Sequence, residues 1–316
     1  MRALTLPSLE IADRPDQPPG EGEIAVRIRA VGLNRADLLQ RAGKYPAPPG
    51  WPADIPGLEY AGEVIATGRG VTYWTTGDRV MGLVGGGAHA DRVVVHQAEA
   101  MAVPDGMPLT DAAAIPEAFL TAWDAMVVQG RVRAGERVLA HTIGSGVGTA
   151  AVQLAQVLGV TLIGTSRTPD KLARARALGL EHGVLLRDGW PRDLEPVDVI
   201  LDTLGAAHFD AHLSLLASGG RLVLVGTLTG SAAERVDLGR LLRQRLAIVG
   251  TAMRPRHARE RRALVERFTG EILPHFASGT LRPVVDRVVP WTEAALAYEL
   301  LASNRTFGKV VLAVGS

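Results

Sequence analysis

The chain has 316 residues, 47% hydrophobic and 21% charged, enough for two cores and the balance of a globular protein. A formal net charge of +1 offers no bulk field for nucleic acid or an acidic membrane, so neither partner is expected. Without cysteine there is no disulfide, no thiolate metal site and no cysteine nucleophile, which removes several enzyme classes at once.

The first residues, MRALTLPSLEIADRP, carry charges where a signal peptide needs an apolar core. No apolar run approaches the ~18 residues of a membrane span, so a soluble cytoplasmic chain is expected. Residues 1–118 are rich in Gly and Pro and in short β-type runs, EIAVRIRAVGL, GEVIATG, DRVMGLV and DRVVVHQ, which predict a mostly β domain. Over 119–262 the pattern changes to apolar strands alternating with helical runs: RVLAH, VTLIGTS, GVLL, VDVILDT, RLVLVG and LAIVGTA. This alternation predicts a parallel sheet covered on both faces, and six strands fit a complete doubly wound Rossmann sheet. One helix is predicted from about 256 to 277. The tail ending FGKVVLAV is expected to bring 263–316 back to the first domain, which makes the Rossmann unit an insertion.

Within RVLAHTIGSGVGTAAVQ a short strand, a glycine-rich turn and a run of small helix formers follow one another. Such a turn lets the backbone approach a pyrophosphate at a helix N-terminus, with Ser145, Gly146 and Val147 as the expected contacts. Strict G-x-G-x-x-G spacing is not met, because the glycines are Gly144, Gly146 and Gly148, so the loop alone is a weak signal. The tip of the second strand reads GTSRTPDK. Where an acid would bond the 2′-hydroxyl of NAD stands Ser166, followed by Arg167 and Lys171, and this set favours the 2′-phosphate of NADPH. The plainer reading of Arg167 and Lys171 is a pair of solvated cations at a helix start. His208 and His212, four apart on an expected helix, have the spacing to clasp a metal. Surface helices show such pairs by chance, and no metal site is assigned.

The strings VGLNRADLLQRAGKYPAPPG, IPGLEYAGEV, GDRVMGL, AAAIPEAFLTAW, RVLAHTIGSGVGTAAVQLA and FGKVVL occur in the order found in the medium-chain dehydrogenase/reductase superfamily, which the chain resembles from about residue 20 onward. Within it the chain resembles zinc-free quinone oxidoreductases of the zeta-crystallin type, especially the branch with the p53-inducible quinone oxidoreductase. The resemblance implies an α/β protein, a GroES-like mostly β catalytic domain plus a Rossmann domain with a doubly wound, parallel six-stranded sheet. Zinc members carry a cysteine where this chain has Asn34, and Gly-His-Glu where it has Gly57, Leu58 and Glu59. The region of Pro116 and Glu117 supplies no cysteine, and the four-cysteine structural lobe is absent, so a catalytic zinc is not expected. Departures occur too. Thr142 and Ser145 replace small residues of the dinucleotide loop, and Leu186 replaces a frequent tyrosine, leaving Arg167, Lys171 and Arg187 for the phosphate.

By the same resemblance the nicotinamide lies in a cleft between the domains. Strand ends near Thr203, Gly226 and Thr251 would serve its carboxamide, with Thr121 beside the ring and Asn304 a further cofactor contact. Hydride transfer to a quinone needs little electrophilic help, because the product is an aromatic hydroquinone anion. Asn34, Asp37 and Tyr45 are the candidate catalytic residues, Asn34 bonding a ribose or carbonyl oxygen and Tyr45 lining the acceptor pocket as a proton donor. Asn34 and Asp37 are equally placed to cap a helix, and Glu59 reads as a structural carboxylate. The alternatives are an NADPH-dependent alkenal or enone reductase and an NADPH-binding protein with a structural role. A homodimer through the sheet edge near RLAIVGTA is expected.

Overall fold

Ten residues of alternating and then continuous apolar character, EIAVRIRAVG, form the strand around which the β-rich part is organised. The structure is a computed structural model describing residues 1–187, 189–191 and 193–315. In chain order, β1 (Arg2–Thr5) and β2 (Glu10–Asp13) pair as a hairpin. Next come β3 (Glu23–Gly32), α1 (Arg35–Arg41), β4 (Glu59–Thr67), β5 (Arg79–Leu83), β6 (Arg92–His96), β7 (Ala100–Ala102), α2 (Leu109–Ala112) and α3 (Pro116–Trp123). Alternation follows: β8 (Arg137–Ala140), α4 (Gly146–Leu158), β9 (Thr161–Ser166), α5 (Pro169–Arg176), β10 (His182–Leu185) and β11 (Val197–Asp202). It continues through α6 (Phe209–Leu215), β12 (Leu216–Leu224), α7 (Leu238–Gln244) and β13 (Ala247–Gly250). Last are α8 (Ala258–Glu271), α9 (Leu273–Ala277), β14 (Val285–Pro290), α10 (Ala294–Ala302) and β15 (Lys309–Ala313).

Two compact units result, Met1–Leu120 with Met253–Ser316, and Thr121–Ala252. In the first, a seven-stranded sheet runs β14-β15-β3-β4-β5-β7, with β6 also on β3. The tail does return: β15 pairs antiparallel with β3, Val311 opposite Gly32. Ile24, Val26, Ile28, Tyr60, Val64, Val310 and Leu312 fill the core, and each large side chain so buried contributes on the order of 1.5–3 kcal/mol. Return to this unit comes at Met253 rather than 263, because Arg254 bonds Gly85, Tyr45 and Gln40 within it.

The second unit holds six parallel strands in the order β10-β9-β8-β11-β12-β13. Numbered within the unit this is 3-2-1-4-5-6, the doubly wound Rossmann order, with its reversal between β8 and β11. Both faces are covered, so the strands are continuous apolar runs, with Val138, Leu139, Ile163, Val199, Ile200, Leu222 and Val223 buried. Gly159, at φ 65°, ends α4 in the left-handed conformation that only glycine adopts without strain.

The helix expected from 256 to 277 is two. Ile272 leaves helical geometry at φ −116°, and α9 restarts with Pro274 in its first turn, where a missing N–H costs nothing. Among the described residues no helix is long and apolar enough to cross a membrane.

Candidate active site

The phosphate turn forms because β8 stops at Ala140 and Ser145 caps α4, its Oγ accepting the Gly148 N–H at 3.0 Å. A Cβ on Gly148 would fall 2.5 Å from the Thr142 carbonyl oxygen and 2.6 Å from Ile143 Cα, so the third glycine lets the helix start lie against the turn. Ser145, Gly146 and Val147 are half-buried at the first turn of a 13-residue helix, whose leading N–H groups lack intrahelical acceptors. Thr142, at φ 52°, joins its hydroxyl to that of Thr203 at 3.0 Å and fastens the β8 turn to the end of β11, across the strand-order reversal. These features fit a dinucleotide pyrophosphate.

At the tip of β9, Ser166 is buried, its Oγ accepting the Thr168 N–H at 3.1 Å, while Arg167 is exposed and Lys171 half-buried in the first turn of α5. Leu186 donates its N–H to the Ser166 carbonyl at 2.8 Å, which brings an aliphatic side chain to the place expected for a tyrosine. Arg187 follows, exposed. Thr203, Gly226 and Thr251 lie just past the carboxyl ends of β11, β12 and β13, three neighbouring strands. The Thr251 hydroxyl donates to Asp124 Oδ2 at 2.6 Å, and the Thr203 carbonyl accepts the Leu228 N–H at 3.2 Å. Thr121 is buried in α3.

Beneath these tips are three groups the sequence did not connect. His141, Asp202 and His212 are buried, and one ligand atom from each lies within 4.8 Å of the others. His212 thus faces His141 and Asp202; with His208 it makes only a ring stack, centroids 6.1 Å apart. Burial, then the neighbouring His212, pushes the His141 imidazole down to about 3, so it is neutral at physiological pH. Burial would raise the Asp202 carboxyl, but His212 and the N–H groups of Gly205 and Leu204 hold it below its ordinary value.

In the β-rich unit, Glu59 is fully buried. Its Oε1 accepts from Lys309 Nζ at 2.6 Å and Asn34 Nδ2 at 2.9 Å, and its Oε2 from the Glu117 N–H at 2.8 Å. Lys309 also donates to Asn34 Oδ1 at 2.6 Å and the Leu33 carbonyl at 2.6 Å. A Cβ on Gly32 would meet Glu59 Oε1 at 2.3 Å, so only glycine admits this carboxylate. Both ends of the Asn34 amide are engaged here. Asp37 departs from the catalytic expectation: it is fully buried, one oxygen accepting the Asn34 N–H at 2.7 Å and the other the Gly57 N–H at 3.1 Å. It fastens the start of α1 to the loop before β4. Burial drives its pKa from 3.8 up to about 6, against the Asn34 N–H, Lys309, the Gly57 N–H and Arg254.

Tyr45 is half-buried, its ring under the Arg254 guanidinium at 4.9 Å. Arg254 is locked by the Gly85 carbonyl at 2.7 Å, the Tyr45 carbonyl at 2.8 Å and Gln40 Oε1 at 2.7 Å. Burial and then Glu117 raise the Tyr45 pKa, with Arg254 opposing, so the phenol keeps its proton at neutral pH. Leu58, Leu83, Leu120 and Met253 line an apolar pocket edged by Glu117 and Arg254. Asn304, exposed at φ 56° after α10, accepts from the Arg35 guanidinium.

The family model Alcohol dehydrogenase GroES-like domain matches residues 20–105, and Zinc-binding dehydrogenase matches 146–269. The chain is 34% identical to a quinone oxidoreductase of Pseudomonas aeruginosa over 316 residues, covering 96% of this chain and 95% of that protein. The solved quinone oxidoreductase of Thermus thermophilus, described also in complex with NADPH, is 35% identical, with a TM-score of 0.84 and coverage of 99% and 100%. This chain belongs to the medium-chain dehydrogenase/reductase superfamily. Among solved members, the CurK enoyl reductase is 26% identical with a TM-score of 0.84, each chain covered at 99%. Polyketide synthase GfsB of Streptomyces halstedii is 35% identical over 300 residues, of which the chain spans only 5% of that protein's length.

A superfamily zinc does not fit at Asn34, Leu58 and Glu59. Leu58 offers no donor, and an ammonium already bonds both Asn34 and Glu59. Lys309 was missed in the sequence, yet a signal existed: it is one of three lysines among 34 basic residues and stands in an apolar strand. Arg254, His141 and Asp202 gave no such signal, since their partners lie on distant elements, and His212 was read as pairing with His208 rather than with them.

Proposed function

We propose that this superfamily member is a zinc-independent, NADPH-dependent reductase of quinones. The carrying observation is Lys309 Nζ, bonded to Asn34 Oδ1 and Glu59 Oε1 beside an aliphatic Leu58, which leaves no donor set for a Lewis-acidic metal. An acceptor must then be reducible without one, and quinones are, because hydride addition yields an aromatic anion. Bound NADPH supplies the hydride. The start of α4 with Ser145, Gly146 and Val147 holds the pyrophosphate. Arg167 and Lys171 beside Ser166 pair with the 2′-phosphate, where a carboxylate would repel it. Thr121, Thr203, Gly226 and Thr251 are the nicotinamide-side contacts and Asn304 a further cofactor contact. Tyr45, protonated and with its backbone held by Arg254, is the proton donor to the developing oxyanion. The p53-inducible branch is the finer placement supported by the sequence strings.

A second reading, reduction of enones, draws on the likeness to the CurK enoyl reductase, since a site without a metal also suits hydride delivery to an activated double bond. NADPH oxidation by the purified chain against matched quinone and enone panels separates the two. Quinone kcat/KM at least about tenfold above that for enones is expected. The reverse order supports the second reading, and NADPH binding with no turnover in either panel sinks both.

A further inference from the structure

We propose that His141, Asp202 and His212 form a binding site for one divalent first-row transition-metal ion, Zn2+ foremost, inside the dinucleotide-binding unit. The three side chains are 2%, 0% and 0% exposed. Among the described residues His141 Nε2 and His212 Nε2 have no hydrogen-bond partner, and Asp202 Oδ2 and His212 Nδ1 have only each other, at 3.2 Å. Burying polar groups unpaired, or with a single partner for a carboxylate oxygen, is costly. One nitrogen from each histidine and one Asp202 oxygen lie within 4.8 Å of one another, a three-atom donor set with no acceptor of electron pairs among them.

Geometry agrees with this assignment. Asp202 Oδ2 and His212 Nδ1 stand 3.2 Å apart as a buried ion pair. Two ligands about 2.0–2.1 Å from a tetrahedral centre lie roughly 3.3 Å apart. The other atom of two of the ligands is spoken for, as in metal sites whose outer partners orient the ligands. His141 Nδ1 is bonded to Thr165 Oγ1 at 2.9 Å, and Asp202 Oδ1 accepts the N–H groups of Leu204 at 2.7 Å and Gly205 at 3.0 Å. Each of these partners turns the remaining donor atom inward. Two imidazoles and one carboxylate suit zinc, cobalt or nickel and not the all-oxygen shells of calcium or magnesium. Three protein ligands leave a fourth position for water, and the Trp190 ring stands edge-on to His141 and His212 at 5.4 Å and 5.6 Å.

The ligands come from the end of β8, the end of β11 and helix α6. A bound ion would therefore cross-link the two strands at which the sheet order reverses and tie α6 to them. Its role is to hold the unit together; it is separate from the family's zinc position and independent of the reductase reading.

Metal binding by the full chain tests this directly. After stripping with chelator, calorimetric titration with Zn2+ should show uptake of one ion per chain, a raised Tm, and with Co2+ the visible bands of a tetrahedral centre. His212→Ala and His141→Gln should each weaken Zn2+ binding by about a hundredfold or more and abolish the Tm shift, whereas His208→Ala should stay within about twofold. Failure of the parent to take up Zn2+ or Co2+ at micromolar concentration overturns the proposal, whatever the folding of the variants. So does binding that survives His212→Ala or His141→Gln, or that is lost in His208→Ala, since the latter marks an ordinary surface pair.

Discussion

Lys309 and Glu59 form an ion pair at 2.6 Å with side chains 5% and 0% exposed, so a charge on the last strand neutralises one on β4 inside the sheet. Removing one partner strands the other. Lys309→Met should lower the unfolding free energy by about 3–5 kcal/mol in urea denaturation, and adding Glu59→Gln should recover part of it. Strictly additive losses would show that the two charges are not coupled.

Asp37 gives a pH dependence of definite sign. Below its ordinary value of 3.8 the carboxyl is protonated in the folded and unfolded chain alike; between 3.8 and about 6 only the folded chain keeps the proton. Stability contributed by this residue is therefore full at low pH and lost as pH rises through about 6. Relative to Asp37→Asn, the parent should lose up to about 3 kcal/mol between roughly pH 3.5 and 6.5, read from urea midpoints. A difference that grows in the other direction would refute the assignment.

Cofactor choice should depend on two cations. Arg167→Ala and Lys171→Ala should each weaken NADPH binding about tenfold or more, the worth of a charge-assisted bond, and leave NADH nearly unchanged. Equal losses for both cofactors, or a parent that prefers NADH, would reduce these residues to solvated charges.

Gly148→Ala places a Cβ against backbone, 2.5 Å from the Thr142 carbonyl oxygen, where nothing can yield cheaply. The turn should open at a cost of about 1–3 kcal/mol, with NADPH affinity falling alongside Tm. Unchanged NADPH affinity would mean the pyrophosphate does not depend on this turn.

β13 is one of the two edge strands of the six-stranded sheet, with Ile248 37% exposed, and Leu238 and Leu242 of the preceding α7 are 71% and 79% exposed. Pairing of two copies along this edge predicts a dimer in sedimentation at micromolar concentration, converted to monomer by Val249→Pro. A monomeric parent would dispose of it.

Most of the architecture was legible because strand runs and their periodicity are local. VDVILDT and VTLIGTS, for instance, fall on β11 and β9 to within a residue. The phosphate turn was legible for the same reason. Lys309 was not: a single charge in GKVVLAV shows that a partner is needed, not that Glu59 supplies it 250 positions earlier. Asn34 and Asp37 were read for chemistry, and only burial shows how completely Asp37 is consumed by backbone N–H groups. Pro274 was visible, but hydrophobic periodicity ran straight through it and hid the break at Ile272.

Because Val311 lies opposite Gly32, the β-rich sheet depends on a contact spanning nearly the whole chain, with an entire second unit threaded between. On the ribosome, Ala30–Gly32 at the end of β3 must wait for β15 while the whole inserted unit is made. Slow emergence of the segment from Met253 onward would lengthen that wait, so the yield of correctly folded chain is expected to depend on translation speed as well as on final stability.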